Sequence, residues 1–171
     1  MIDPGRGSGP IDSAGIQRLL PHRAPMLLVD EVRAAVPGKS LVAVKAVTAA
    51  EPCYEGLVPG ADDAYPPTLL IESWCQAAAL LALLDTPNPD VLSGRVALFG
   101  GIGGLRFGPP VRPGDLLVHH TRLVRLFADA AVLAGTAEVD GTPVLEVEQV
   151  VIAFRAAGTF AGAGAEPAQQ S

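Results

Sequence analysis

Cysteine and charge are both scarce in this 171-residue chain, and each shortage closes off a class of protein. The two cysteines, Cys53 and Cys75, have no metal-ligand spacing and are too few for a disulfide scaffold. Nothing in sequence around them would lower a thiol pKa, so both are expected as core thiols. Charged residues are 18% of the chain against 49% hydrophobic, which excludes a disordered body. Basic residues number 12 against 18 acidic, a net charge of −6, which argues against nucleic acid or an anionic membrane as the main partner. The longest apolar run, residues 68–84, is short for a membrane span and is interrupted by Glu72, Ser73 and Gln76, so it reads as a buried helix. The opening MIDPGRGSGP lacks the charged-then-apolar pattern of an export signal, and a cytoplasmic protein is expected. No repeat is visible, and no residue set calls for a metal or a cofactor.

What is present fits one domain. Residues 1–10 and 158–171 are small, polar and aperiodic, and read as disordered tails around a domain at 11–157. Asp12 is placed to cap a short helix that Pro21 stops. MLLVDEVRAAV and SLVAVKAV are β-prone runs joined by PGK, a hairpin signal. A loop fills residues 51–66, and Pro67 suits the first position of a helix reaching about residue 85. Four strand signals follow: RVALFGGIGGLRF, DLLVHHTRLVRLF, AAVLAGTAEV and PVLEVEQVVIAF, the last two flanking the turn Asp140-Gly141. A helix apolar nearly all round must be covered on most sides. A curved antiparallel sheet wrapped around one helix does this, so the expected class is α+β with a hot-dog fold.

Within that helix stands one carboxylate, Glu72, in EGLVPGADDAYPPTLLIESWCQ (residues 55–76). A carboxylate there is costly unless it is paired or used. Gln76, one turn on, lies on the same helix face.

Four stretches in one order carry a resemblance: LLPHRAPMLLVDEV, VKAVTAAEPCYEGLVPG, PPTLLIESWCQ and RFGPPVRPGD, within residues 16–155. Together they resemble the (3R)-hydroxyacyl-acyl-carrier-protein dehydratases of fatty-acid and polyketide synthesis. The resemblance implies a hot-dog dimer whose two sites each pair a loop histidine of one chain with a helix carboxylate of the other. The histidine removes the Cα proton and the acid helps the hydroxyl leave as water. A backbone N–H at the helix start polarises the thioester carbonyl.

Two positions depart from the family pattern. Leu57 stands where the family has its histidine, and Pro67, with no N–H, stands where the family has glycine at the helix start. Glu72 matches the catalytic carboxylate. Gln76, Val58 and Tyr65 are candidates to line the pocket, with Tyr65 and the Asp62-Asp63 loop read first as solvated and second as a lid. His22 matches a structural His-Arg pair of the family, so packing is its expected role. His119 and His120, neighbours on a strand, point to opposite faces. GGIGG, residues 100–104, lacks the context of a phosphate loop and marks a bent or closely packed strand. Arg106, Arg112, Arg122 and Arg125 are the candidates for docking an acidic carrier protein, although the GPP after Phe107 lacks the family's basic residues.

The expected function is a dehydratase-family subunit, inactive alone, that pairs with a complete homologue and donates Glu72. The alternatives are a hot-dog thioesterase using Glu72 and a non-catalytic acyl-binding or scaffold protein.

Overall fold

The computed structural model describes residues 9–84 and 95–156; of the expected tails at 1–10 and 158–171, all but Gly9 and Pro10 lie outside the described residues. Six strands form one antiparallel sheet: β1 (Glu31–Val36), β2 (Ser40–Ala46), β3 (Arg95–Phe107), β4 (Leu116–Leu126), β5 (Ala130–Val139) and β6 (Thr142–Ala156), in the order β1-β2-β4-β5-β6-β3. Helix α2 (Pro67–Leu83) packs on β2, β4, β5 and β6, and α1 (Ser13–Leu19) closes one end. This is the α+β hot-dog arrangement that the sequence pattern implied.

The local causes are those read from the sequence. The Asp12 side chain accepts from the Gly15 N–H at 2.8 Å and starts α1. Asp140 and Gly141 both take positive φ, 49° and 77°, the conformation a two-residue hairpin turn needs. Trp74, Ala77, Ala78 and Leu80 of α2 are fully buried, and Trp74 Nε1 donates to Thr136 O of β5 at 3.0 Å. The small alanines let the helix lie close against the sheet. Among the described residues no helix is long and apolar enough to cross a membrane.

Two segments differ from the sequence reading. β1 begins at Glu31 rather than near Met26, because the backbone of Met26 and Leu28 bonds to α2 side chains. Tyr65 is not a solvated loop residue: it is 3% exposed, its N–H donates to Val111 O at 2.7 Å, and its ring joins the core. Beneath that loop, Lys45 and Glu51 form a buried ion pair at 3.1 Å, and Glu51 also accepts from the Thr48 N–H, tying the loop to β2.

Candidate functional site

Helix α2 starts with two prolines, so the first amide hydrogen it offers belongs to Thr68. The N–H groups of Leu69 and Leu70 already bond to Pro66 O. One turn further, Glu72 and Gln76 share a face. Gln76 is fully buried, and its Oε1 accepts from the Leu28 N–H at 2.8 Å. An N–H can only donate, which fixes the amide the other way round at Nε2. Gln76 Nε2 then gives one hydrogen to Met26 O at 2.8 Å and the other to Glu72 Oε1 at 2.9 Å. His22 Nε2 lies 3.4 Å from the same oxygen. The His22 contact is the larger reason the Glu72 carboxyl sits below its ordinary range; partial burial opposes it and the Gln76 bond adds to it.

Glu72 opens on a cavity of about 270 Å³ between α2 and the edge of the sheet, lined by Ile71, Cys75, Phe99, Gly100, Gly101, Ile102 and Val150 besides. Apart from the carboxylate and the Cys75 thiol its walls are apolar. Burial, and then the charge of Glu72, push that thiol up to about 12, so it is no nucleophile at neutral pH. Gly100, Gly101 and Ile102 of the GGIGG run line it, where β3 carries a register shift between Phe99 and Gly101, the bend expected of the run.

Behind the helix lies a polar pair that composition does not reveal. Ser73 Oγ is 2.6 Å from Leu28 O and 2.8 Å from His119 Nε2, and both side chains are fully buried. The hydroxyl has one hydrogen, which the carbonyl takes, so His119 carries its own on Nε2. Burial pulls His119 down to about 3 from 6.5. The unfolded chain therefore takes up this proton as pH falls through 6.5, while the folded chain resists until about 3. Stability contributed by the neutral ring is present above 6.5 and declines below it. Between pH 7 and pH 4 the linkage amounts to about 3 kcal/mol. Denaturant unfolding at the two pH values is expected to show a loss smaller by that amount in His119→Leu than in the wild type. Equal losses would mean that His119 titrates normally. His120 faces outward beside Glu138 at 3.7 Å.

Glu72 is at the cavity, whereas Gln76, Val58 and Tyr65 do not line it: Gln76 is spent holding the carboxylate, Tyr65 is in the core, and Val58 is 68% exposed on the loop. Leu57, 44% exposed on that loop, is also absent from the lining. Among the arginines, Arg106 bridges Glu146 and Glu148 at 3.0 and 3.1 Å, and Arg112 is taken by Asp62 and Asp63. Arg122 and Arg125 stay exposed at the end of β4 without an acidic partner among the described residues, Arg125 lying over the Phe127 ring. His22 is the residue the sequence placed wrongly: it faces Glu72 rather than serving packing alone. Among the described residues no cluster of His, Cys, Asp and Glu could hold a metal ion.

One helix wrapped by a six-stranded antiparallel sheet, with a helix carboxylate opening on an edge-strand cavity, defines a hot-dog protein. The FabA-like domain model matches residues 20–148, and the chain belongs to that dehydratase family. It is 40% identical over 140 residues to the 3-hydroxyacyl-[acyl-carrier-protein] dehydratase FabZ of a Nitratiruptor species, covering 81% of this chain and 94% of that protein. It is 41% identical over 133 residues to the FabZ of Enterococcus faecalis, covering 78% and 91%. Among solved structures, the dehydratase heterocomplex ApeI:P from Xenorhabdus doucetiae aligns with a TM-score of 0.67 at 19% identity, over 82% of this chain and 90% of that one. The fluoroacetyl-CoA thioesterase FlK aligns at 0.59 and 12%, over 73% and 91%. At those identities the two structures bear on the fold alone.

Proposed function

We propose that this chain is a subunit of 3-hydroxyacyl-carrier-protein dehydration in fatty-acid or polyketide synthesis, inactive alone, which donates Glu72 to a site shared with a histidine-bearing homologue. The observation that carries the reading is a carboxylate fixed at one oxygen and opening on an apolar cavity that no histidine of the described residues lines. Leu57 supplies no base of its own, and the loop that carries it adds nothing to the cavity wall and leaves its apolar side chains exposed. Dehydration assayed with the chain alone, and again with it co-expressed beside such a homologue, tests the reading.

The exposed edge of the sheet supports a dimer as part of this reading. β3 is an edge strand of 13 residues with Leu98, Phe99, Ile102 and Phe107 exposed. Long apolar edges call for a covering strand. Pairing β3 with a partner's strand would extend the sheet past the cavity and bury on the order of 2,000 Å². Sedimentation at micromolar concentration should give a dimer; a monodisperse 17.5 kDa monomer would end this reading.

One observation favours hydrolysis as a second reading. Glu72 rests ionised, as a base for water would. Hydrolysis of acyl thioesters by the isolated chain, lost in Glu72→Gln, would decide for a thioesterase.

A further inference from the structure

The two oxygens of Glu72 are not equivalent. Oε1 accepts from Gln76 at 2.9 Å and faces His22 Nε2 at 3.4 Å, whereas no group among the described residues bonds Oε2. His22 is held there from both sides. Arg23 clamps the turn before it, donating to the carbonyls of Gln17, Leu20 and His22 itself at 3.0, 2.9 and 2.7 Å. Beyond it, Met26 and Leu28 are pinned to α2 by Gln76 and Ser73. The Nδ1 atom of His22 is buried without a partner among the described residues. A buried N–H with no acceptor is costly, so the hydrogen of the neutral ring sits on Nε2, against the carboxylate.

We propose that His22 is a positioning residue for Glu72: with Gln76 it occupies Oε1, so that a proton joins or leaves the carboxyl only at Oε2, the oxygen left for the cavity. The other titratable groups near the carboxyl do not compete for this role. Cys75 holds a neutral thiol in the cavity wall, and the Arg23 guanidinium is turned to backbone carbonyls. The sidedness has a chemical use. A carboxyl whose one free oxygen is fixed meets a substrate hydroxyl in one geometry instead of several, whichever way the proton moves. The inference rests on the reading of Glu72 as the working carboxyl, so its test reads the carboxyl without any turnover.

In the purified chain with ¹³C-labelled glutamate, the Glu72 carboxyl signal is assigned by its loss in Glu72→Gln and titrated. The wild-type midpoint should lie below that of an exposed glutamate, rise in His22→Ala, and stay low in His22→Gln, whose amide offers an N–H of similar reach. Long-range ¹⁵N spectra of the wild type at mildly alkaline pH should place the His22 hydrogen on Nε2, a measurement that stands even where His22→Ala does not fold. In a complex that dehydrates its substrate, kcat of His22→Ala should fall on the order of tenfold to a hundredfold with KM unchanged, and His22→Gln should recover most of it. An unmoved Glu72 midpoint in folded His22→Ala, or a hydrogen on Nδ1 in the wild type, overturns the proposal. A complex without dehydratase activity would count against the functional reading and leave the titration to judge His22.

Discussion

The purified chain alone is expected to turn over a 3-hydroxyacyl thioester several orders of magnitude more slowly than a complete dehydratase. Removal of a Cα proton needs a base within reach, and loss of such a group costs on the order of two to four orders of magnitude. Leu57 can take no proton, and Pro67 at the first position of α2 offers no N–H to the carbonyl, a loss of about two to three orders more. The two losses belong to one step, so they are not additive in full. Leu57→His alone should therefore regain little. Leu57→His with Pro67→Gly should regain more, since glycine restores the amide while Pro66 O still accepts from Leu69 and Leu70. Near-normal turnover by the unmodified homodimer would overturn the expectation. The first histidine to replace would then be His22: His119 is sealed in the core and His120 points away from it, whereas His22 touches Glu72.

Most of the architecture was legible because it follows from short-range rules. A proline opens α2, an Asp-Gly pair closes the last hairpin, and alternation sends His119 and His120 to opposite faces. What escaped depends on contacts between distant residues. Gln76 and Leu28 are 48 positions apart, and Ser73 and His119 are 46 apart. No periodicity announces that a strand-like run will instead give its backbone to helix side chains, and that exchange is what brings His22 to Glu72. Tyr65 was misread for a related reason. It stands in a polar, proline-rich run, yet one backbone bond to Val111 turns its ring into the core. Glu72 itself was legible, since a carboxylate in an apolar helix needs an explanation in any fold.

The sharpest expectation concerns the carboxylate in a co-expressed heterodimer with a histidine-bearing homologue. Glu72→Gln should lower dehydration on the order of a hundredfold to ten-thousandfold while the complex stays assembled. The structure favours retention of the fold. A glutamine oxygen placed where Oε1 now sits can still accept from Gln76 and His22, and its amide nitrogen then occupies the place of Oε2. What disappears is the ionisable oxygen on the cavity side. The matching carboxylate of the homologue provides the control. On the proposed arrangement it faces Leu57, in a site without a base, so its replacement by glutamine should leave activity nearly unchanged. Equal losses from the two substitutions would mean that both sites work and that another group replaces the missing histidine. No loss from Glu72→Gln, in a complex of unchanged size, would reduce this chain to a scaffold and its carboxylate to a remnant of an older site.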